Sequence, residues 1–277
     1  DFPEPHLPCL PTPEFADRYD PVDVEPWDSM AETFRDKPYI QHQQLYNWGI
    51  EDFSWRDWAP VVARYYATIS QLDDAVGLIL RELSALGVAD ETVVIFTADH
   101  GDMCGSHRML DKHYIMYDDV VRVPFIVQWP EAFSPETVCS APVTNSLDIA
   151  PTVLEIAGID CPHHLQGRSL APLLRGETPL DWPQAVVATY NGSQFGLYCQ
   201  RMIRTQRWKY VWNLTDRDEL YNMEEDPAEL INCIDDYRGS SRVAELREAL
   251  HAELSRCNDG LFRGDWLHRQ LLAGAKL

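Results

Sequence analysis

The chain has 277 residues, of which 45% are hydrophobic and 24% are charged. This composition is typical of a soluble globular protein with one large domain or a domain and a half. The formal net charge of −21 argues against nucleic acids and anionic membrane surfaces as partners. No stretch has the apolar length of a membrane span, and the N-terminal residues lack the basic region and apolar core of a signal peptide.

Cysteine usage bears on the compartment. The seven cysteines are odd in number and form no Cys-x-x-Cys pair, so neither a disulfide framework nor a zinc cluster is predicted. Reduced thiols favour a cytoplasmic protein. A periplasmic location would require that an N-terminal signal has been lost.

The first 60 residues predict an extended segment that crosses the surface. Prolines are frequent between residues 3 and 13, where they forbid a helix. Four tryptophans could anchor this segment on the core or line a substrate cleft, and packing is favoured because aromatic side chains bury large apolar areas. They are Trp27, Trp48, Trp55 and Trp58.

The middle of the chain predicts an α/β layer. Apolar residues recur at helical spacing over 62–86, and Gly87 is placed to end that helix. Short apolar runs at 92–98 and 123–128 predict strands buried in a parallel sheet. A further helix is expected to begin near Leu147.

Proline and glycine residues mark a boundary at 175–184. Beyond it, three short strand-like runs predict a small antiparallel sheet, on which a final helix would pack. The predicted strands and helix are 185–190, 201–205, 208–213 and 242–256. The expected organisation is an α/β domain over residues 1–178 and a small α+β subdomain over residues 179–277.

The strand predicted at 92–98 ends in Asp99-His100-Gly101-Asp102. Ligands and catalytic groups in open α/β sheets collect at the carboxyl ends of strands. A carboxylate beside an imidazole suits a divalent metal ion, and the glycine allows a sharp backbone turn. A bare Asp-His-Gly is also compatible with an ordinary polar turn.

The residues that follow favour the functional interpretation. Lys112 and then Arg122-Val123-Pro124 succeed Asp99 in the order and spacing of the sulfatase family of the alkaline phosphatase superfamily, which this stretch resembles. It is most similar to the branch that holds arylsulfatases, choline-sulfatase-like enzymes and phosphonate monoester hydrolases. Further segments resemble motifs of this family in the same order. They are Pro5-His6-Leu7-Pro8, Leu72–Gly77, Asp148–Leu154, Gly167–Leu170 and Glu219–Asn232.

The resemblance implies a fold and a missing part. The fold would be α/β, an alkaline-phosphatase-like sandwich of helices around a mainly parallel sheet, present in part, with a small C-terminal antiparallel sheet and a helix. Family members first carry two aspartate metal ligands and a Cys-x-Pro-x-Arg motif, whose cysteine becomes the formylglycine nucleophile. Cys9 opens a similar run, but Pro13 stands where the arginine should be. The chain is therefore expected to be the C-terminal portion of such an enzyme, inactive by itself.

The same resemblance implies roles for four side chains. Asp99 and His100 would complete a site for one divalent metal ion, with Ca²⁺ favoured over Mn²⁺ or Mg²⁺. Lys112 resembles the lysine that contacts a sulfuryl oxygen and the leaving-group oxygen. His6 resembles the histidine that binds or protonates that leaving oxygen. His107 flanks these residues in sequence and is a candidate for substrate binding. Each could instead be an ordinary surface or loop residue.

Three functions are compatible with these motifs. The favoured one is metal-dependent hydrolysis of small-molecule sulfate monoesters. The second keeps the fold and the metal but hydrolyses phosphonate monoesters or phosphodiesters, whose tetrahedral anions share the shape of sulfate. The third is a non-catalytic remnant that serves as a binding module, and the retention of the metal-site and leaving-group motifs argues against it. A homo-oligomer is compatible with all three.

Overall fold

The computed structural model of the protein describes residues 1–129, 138–193 and 196–276. The α-helices in these ranges are α1 (Pro13–Ala16), α2 (Tyr39–Trp48), α3 (Trp55–Ala85), α4 (Asp118–Val121), α5 (Asn145–Ile156), α6 (Ala171–Leu174), α7 (Ser241–Arg256) and α8 (Asp265–Ala273). The strands are β1 (Val94–Thr97), β2 (Phe125–Gln128), β3 (Ala185–Ser193), β4 (Gly196–Thr205), β5 (Trp208–Asn213) and β6 (Glu219–Asn222). Short 3₁₀ segments lie at Pro21–Asp23, Asp28–Ala31, Ser106–Arg108 and Gly260–Phe262. Among the described helices, none combines the length and apolarity that crossing a membrane requires.

The helix predicted over 62–86 is α3, and it begins earlier than expected. Ser54 caps it, because the Asp57 carboxylate accepts a hydrogen bond from the Ser54 backbone amide at 2.9 Å. One face of the first half of α3 is buried, with Trp58 only 1% exposed. The second half presents apolar side chains to solvent, among them Leu78 at 57% and Ile79 at 51% exposure.

Strands β1 and β2 pair antiparallel, from Val94 with Gln128 to Thr97 with Phe125. The prediction that these two strands are parallel and buried is therefore wrong. Parallel neighbours need a crossover connection that spans the sheet, whereas the connection here contains only one helix of four residues, α4. One face of the pair is open within the described part of the chain, since Phe96 and Ile126 are 37% and 60% exposed.

The C-terminal sheet has the order β3-β4-β5-β6, and every neighbouring pair is antiparallel. The three predicted strands are confirmed, and β6 is added to them. The predicted final helix is α7, whose N-terminus is capped where the Ser240 side chain accepts from the Val243 amide. Helices α7 and α8 cover one face of the sheet, and Tyr210 and Trp212 of β5 pack there against Leu250 of α7.

The opposite face of this sheet packs against the first part of the chain. Met202 and Val211 pack against Met116, while Tyr221 joins the hydrophobic cluster that contains Trp58. Strand β5 is consequently buried at every position. Hydrophobic contacts thus cross residue 178, and the division into domains 1–178 and 179–277 stays a prediction.

The prediction that the first 60 residues form an extended segment is wrong for residues 13–16 and 55–60, which lie in α1 and α3, and for residues 39–48, which form α2. The helix begins after Pro38 and ends at Gly49, whose φ of 64° is a left-handed C-cap conformation. Its buried face includes Gln41 and Gln44 beside apolar residues. Polar residues on the buried face remove the amphipathic pattern on which the sequence argument depends.

Candidate active site

The side chains of Lys112 and His6 meet in space although 106 positions separate them in the chain. The Lys112 Nζ atom lies 2.8 Å from the His6 Nε2 atom. The other ring nitrogen of His6, Nδ1, lies 2.7 Å from the Leu7 carbonyl oxygen, to which it donates. This arrangement leaves Nε2 as the acceptor for the Lys112 ammonium group. The two residues that the sequence assigned to the leaving group thus form one hydrogen-bonded pair.

Asp111 contacts Lys112 as a second partner. Its carboxylate lies 3.2 Å (Oδ1) from Lys112 Nζ and 3.3 Å (Oδ2) from His113 Nε2. The residue is only 6% exposed, and its φ of 68° lies in the left-handed region that Asp tolerates better than most residues. The Asp111 carbonyl oxygen accepts from the Met103 amide at 3.0 Å, which ties this loop to the turn after β1.

The Asp102 side chain stabilises the turn that follows β1. Its Oδ1 atom accepts a hydrogen bond from the Cys104 amide at 2.8 Å. Burial raises the pKa of Asp102, and the neighbouring Asp111 carboxylate raises it further. Through this hydrogen bond Asp102 orients the turn. Burial, followed by the charge of Asp102, also raises the pKa of the Cys9 thiol, and a protonated thiol is a weak nucleophile.

Asp99 and His100 lie side by side at the carboxyl end of β1. Their side chains are 88% and 36% exposed, and His100 Nε2 lies 3.5 Å from Asp99 Oδ2. The other ring nitrogen of His100, Nδ1, lies 2.8 Å from the Gly101 carbonyl oxygen, to which it donates. A carbonyl on one nitrogen and a free lone pair on the other is the usual arrangement of a metal-binding histidine.

The two side chains fit a hard divalent ion but supply only two donors. No group of three or more candidate ligand residues occurs anywhere in the described ranges. The further carboxylates that Ca²⁺, Mn²⁺ or Mg²⁺ would need are therefore not contributed by this part of the chain.

Gly101 fixes how this turn rests on α4. Its amide donates to the Val120 carbonyl oxygen at 2.8 Å. A Cβ atom at this position would lie 1.9 Å from the Asp119 carbonyl oxygen, which is inside van der Waals contact. The glycine in the Asp-His-Gly motif is thus required by a backbone-to-backbone approach, which places Asp99 and His100 relative to the loop that carries Lys112.

His107 lies in the interior and is 1% exposed. Its Nδ1 atom lies 2.7 Å from Glu32 Oε2, and its ring stacks on Tyr117 with 3.8 Å between centroids. Lys37 Nζ lies 3.0 Å from the same Glu32 oxygen. Burial lowers the pKa of His107, which favours the neutral ring. This placement argues against the predicted role of His107 in substrate binding, because the side chain is enclosed in the interior, where it stabilises the loop.

Sequence reasoning missed Asp111 as a partner of Lys112. Neighbouring side chains in an extended chain point to opposite sides, so an Asp-Lys-His run does not by itself indicate three groups in contact. The left-handed φ of Asp111 brings them together. A charged triplet inside a loop motif is the only signal that the sequence carries for this cluster.

Comparisons with known proteins place these features in a family. The sulfatase family profile matches residues 3–159, and the profile for the C-terminal part of N-sulphoglucosamine sulphohydrolase matches residues 105–259. The N-acetylglucosamine-6-O-sulfatase of Bacteroides thetaiotaomicron is 32% identical over 215 residues, which are 73% of this chain and 38% of that protein. The Delta 4,5-hexuronate-2-O-sulfatase of the same species is 33% identical over 257 residues, 90% of this chain and 51% of that protein. The chain thus spans about half of these relatives' length or less.

Solved structures define the fold. The phosphonate monoester hydrolase of Agrobacterium radiobacter matches with a TM-score of 0.78 at 26% identity, over 90% of this chain and 55% of that one. This likeness confirms the predicted class, an alkaline-phosphatase-like α/β fold with an added C-terminal antiparallel sheet. Within that class, the chain belongs to the sulfatase family. Enzymes of this family generally use a divalent metal ion and a formylglycine.

Proposed function

We propose that the chain acts as the C-terminal part of a metal-dependent hydrolase of sulfate monoesters. The observation that carries this proposal is the 2.8 Å contact between Lys112 Nζ and His6 Nε2. Two nitrogen groups that meet at the surface can both act on one leaving oxygen. A non-catalytic remnant is disfavoured, because a binding module has no need for a lysine and a histidine from distant segments in direct contact.

The pair would act on the bond between sulfur and the ester oxygen. An anionic group that enters between the two side chains accepts a hydrogen bond from the Lys112 ammonium. His6 then takes up a proton from solvent at Nε2, while its Nδ1–H remains bonded to the Leu7 carbonyl. As the nucleophile of the complete enzyme bonds to sulfur and the bond from sulfur to the ester oxygen breaks, negative charge develops on the leaving oxygen. That oxygen is stabilised by Lys112 and receives the proton from His6.

Asp99 and His100 would hold the metal ion, through the outward-facing carboxylate and the Nε2 atom of the imidazole. A bound divalent ion would supply charge stabilisation to the sulfuryl oxygens. We propose Ca²⁺ as the ion, with Mn²⁺ or Mg²⁺ as alternatives, because hard cations prefer carboxylate oxygens. The remaining carboxylates and the formylglycine nucleophile are proposed to lie in a preceding part of the complete enzyme.

The proposed substrates are sulfated sugars. The two relatives described above are a sulfatase of N-acetylglucosamine-6-O-sulfate type and one of hexuronate-2-O-sulfate type. Hydrolysis of phosphonate monoesters is the second candidate, since a structure of such a hydrolase matches most of this chain. Both reactions need a tetrahedral anion and a leaving oxygen in the same place, so the roles of Lys112 and His6 are the same in each.

A leaving-group series tests the role of Lys112 in the complete enzyme. We expect Lys112→Ala to lower kcat by about two to three orders of magnitude, the scale of losing one preorganised charge donor. The loss should shrink for phenyl sulfates with acidic leaving groups, whose oxygen needs less stabilisation. His6→Ala should show the same trend more mildly.

The matched control is Arg35→Ala, which removes a cation whose side chain is 88% exposed and should leave kcat unchanged. Equal losses across the whole series for Lys112→Ala would mean that Lys112 only binds the anion. An unchanged kcat would refute the proposed function.

Metal content tests the roles of Asp99 and His100. In the complete enzyme, Asp99→Ala and His100→Ala should each lower the bound divalent ion measured by elemental analysis after dialysis. His163→Ala is the control, because this histidine is exposed and lies in another loop. Full metal content in the Asp99 and His100 variants would show that the ion is held elsewhere.

A further inference from the structure

The carboxylate of Asp111 has no role in the mechanism proposed above. It is nearly buried, at 6% exposure, and contacts Lys112 Nζ at 3.2 Å and His113 Nε2 at 3.3 Å. A buried carboxylate needs such partners, because desolvation without them is costly. Asp111 and His6 each contact the Lys112 ammonium group, from two different directions.

Lysine has a long flexible side chain that loses much conformational freedom when it is held in one place. Two anchors on its ammonium reduce that freedom before substrate arrives. One of them, His6, is at the exposed end and would be separated from Lys112 by a bound ester. Asp111 is the anchor that would remain, since its backbone is tied to Met103 and its side chain is enclosed.

We propose that Asp111 is a positioning residue, which aims the Lys112 ammonium at the leaving oxygen. His113, at the other carboxylate oxygen, holds Asp111 in turn. This inference rests on the proposed function for its catalytic consequence. The geometric part, an ion pair that fixes the position of the Lys112 ammonium, stands without it.

Asp111→Asn is the informative variant. Asparagine keeps the shape of the side chain and tolerates the left-handed backbone, but it removes the charge. In the complete enzyme we expect kcat to fall about ten- to a hundredfold, the scale of a misaimed catalytic group, with a smaller change in KM.

A double-variant cycle separates positioning from a merely structural role. If Asp111 acts through Lys112, then Asp111→Asn should cost little in a Lys112→Ala background. Additive losses in the cycle would overturn the inference. An active Lys112→Ala enzyme would instead refute the proposed function, so the two failures are distinguishable.

A second measurement needs no activity. The chain contains four lysines, so NMR relaxation of the protein labelled with ¹³C at the lysine Cε positions can follow the mobility of each side chain. In the 277-residue chain, Asp111→Asn should increase the mobility of the Lys112 Cε group, because the ammonium loses one of its two anchors, whereas Asp20→Asn, at an exposed turn, should not change it. An unchanged mobility of Lys112 in a folded Asp111→Asn protein would overturn the ion-pair assignment.

Discussion

Gly101 is the residue of the candidate site that tolerates substitution least. The turn that carries Asp99 and His100 rests directly on the backbone of α4, with the Gly101 amide 2.8 Å from the Val120 carbonyl oxygen. Both backbones are held, one by strand β1 and the other by the following strand β2. Neither can retreat without disturbing the β1–β2 pair, so the site and the strand pair depend on the same close approach.

Gly101→Ala should therefore destabilise the chain. The new Cβ would lie 1.9 Å from the Asp119 carbonyl oxygen, and a shift of backbone is required to relieve it. We expect a loss of about 1–3 kcal/mol in the free energy of unfolding, measured by urea denaturation. Gly260→Ala is the control, because no atom lies within 4 Å of its added Cβ. Equal stabilities for the two variants would contradict the contact.

At the scale of single residues, sequence motifs identify the side chains of the candidate site but not all of the residues that they contact. His6 and Lys112 were found because each lies in a short pattern that resembles the family. Asp111 was missed, because its role depends on a backbone turn. His107 lies in the same motif region yet is buried against Glu32 and Tyr117, and a sequence pattern does not tell an exposed histidine from a buried one.

Between elements, two histidines join α7 to α8. The His251 Nε2 atom lies 2.5 Å from His268 Nδ1, and His268 Nε2 lies 2.7 Å from the Phe262 carbonyl oxygen. His268 therefore donates from Nε2 and accepts at Nδ1, and His251 donates to it. A proton added at His268 Nδ1 would face the N–H group of His251 and break this contact.

Acid should loosen this contact. Burial, followed by the neighbouring His268, lowers the pKa of His251 below its ordinary value of 6.5. The unfolded chain then takes up the proton first, so stability is lost as pH falls through 6.5. His251→Gln should remove that part of the pH dependence, about 0.5 kcal/mol or less after solvent screening, in urea titrations at pH 7.5 and 5.5. An unchanged pH dependence would contradict the assignment, and the exposed His163→Gln is the control.

The elements themselves were predictable where a local pattern determined them. The apolar residues of β5 recur with the period of a strand, and those of α7 recur with the period of a helix. The bounds of both elements nearly match the prediction. Helix α2 was missed because its buried face carries glutamines. The antiparallel direction of β1 and β2 was missed because direction depends on the path of a long connection, which periodicity does not encode.

At the scale of the whole molecule, buried charges join the C-terminal sheet to the first part of the chain. The Lys209 side chain is fully buried, and its Nζ atom lies 2.5 Å from Asp118 Oδ1 and 2.7 Å from Glu229 Oε1. Burial raises the pKa of Glu229 to about 7, although Lys209 opposes the rise. These partners are far apart in sequence, and no local pattern pairs them. Their contact links the sheet to α4, and α4 supports the turn of the candidate metal ligands.

Lys209→Met should therefore cost more stability than its single charge suggests. Methionine fills a similar volume but leaves the Glu229 carboxylate buried without a cation, a loss of about 3–5 kcal/mol. In the variant the pKa of Glu229 should rise further above its unfolded value, so the Glu229 share of the loss should be larger at pH 8 than at pH 5. The share from Asp118, whose pKa is lowered partly by Lys209, is present at both pH values. Urea denaturation at pH 5 and pH 8 measures both values.

Two further variants decide whether the buried, unpaired charge causes the loss of stability in Lys209→Met. Lys276→Met removes a lysine whose side chain is 28% exposed beside Asp218, so it should cost about 1 kcal/mol or less at either pH. Adding Glu229→Gln to Lys209→Met removes the unpaired carboxylate and should recover much of the stability at pH 8, because an amide has no charge to desolvate. If the double variant is no more stable than Lys209→Met alone, lost packing rather than the unpaired Glu229 explains the loss, and the proposed electrostatic link between the sheet and α4 is wrong.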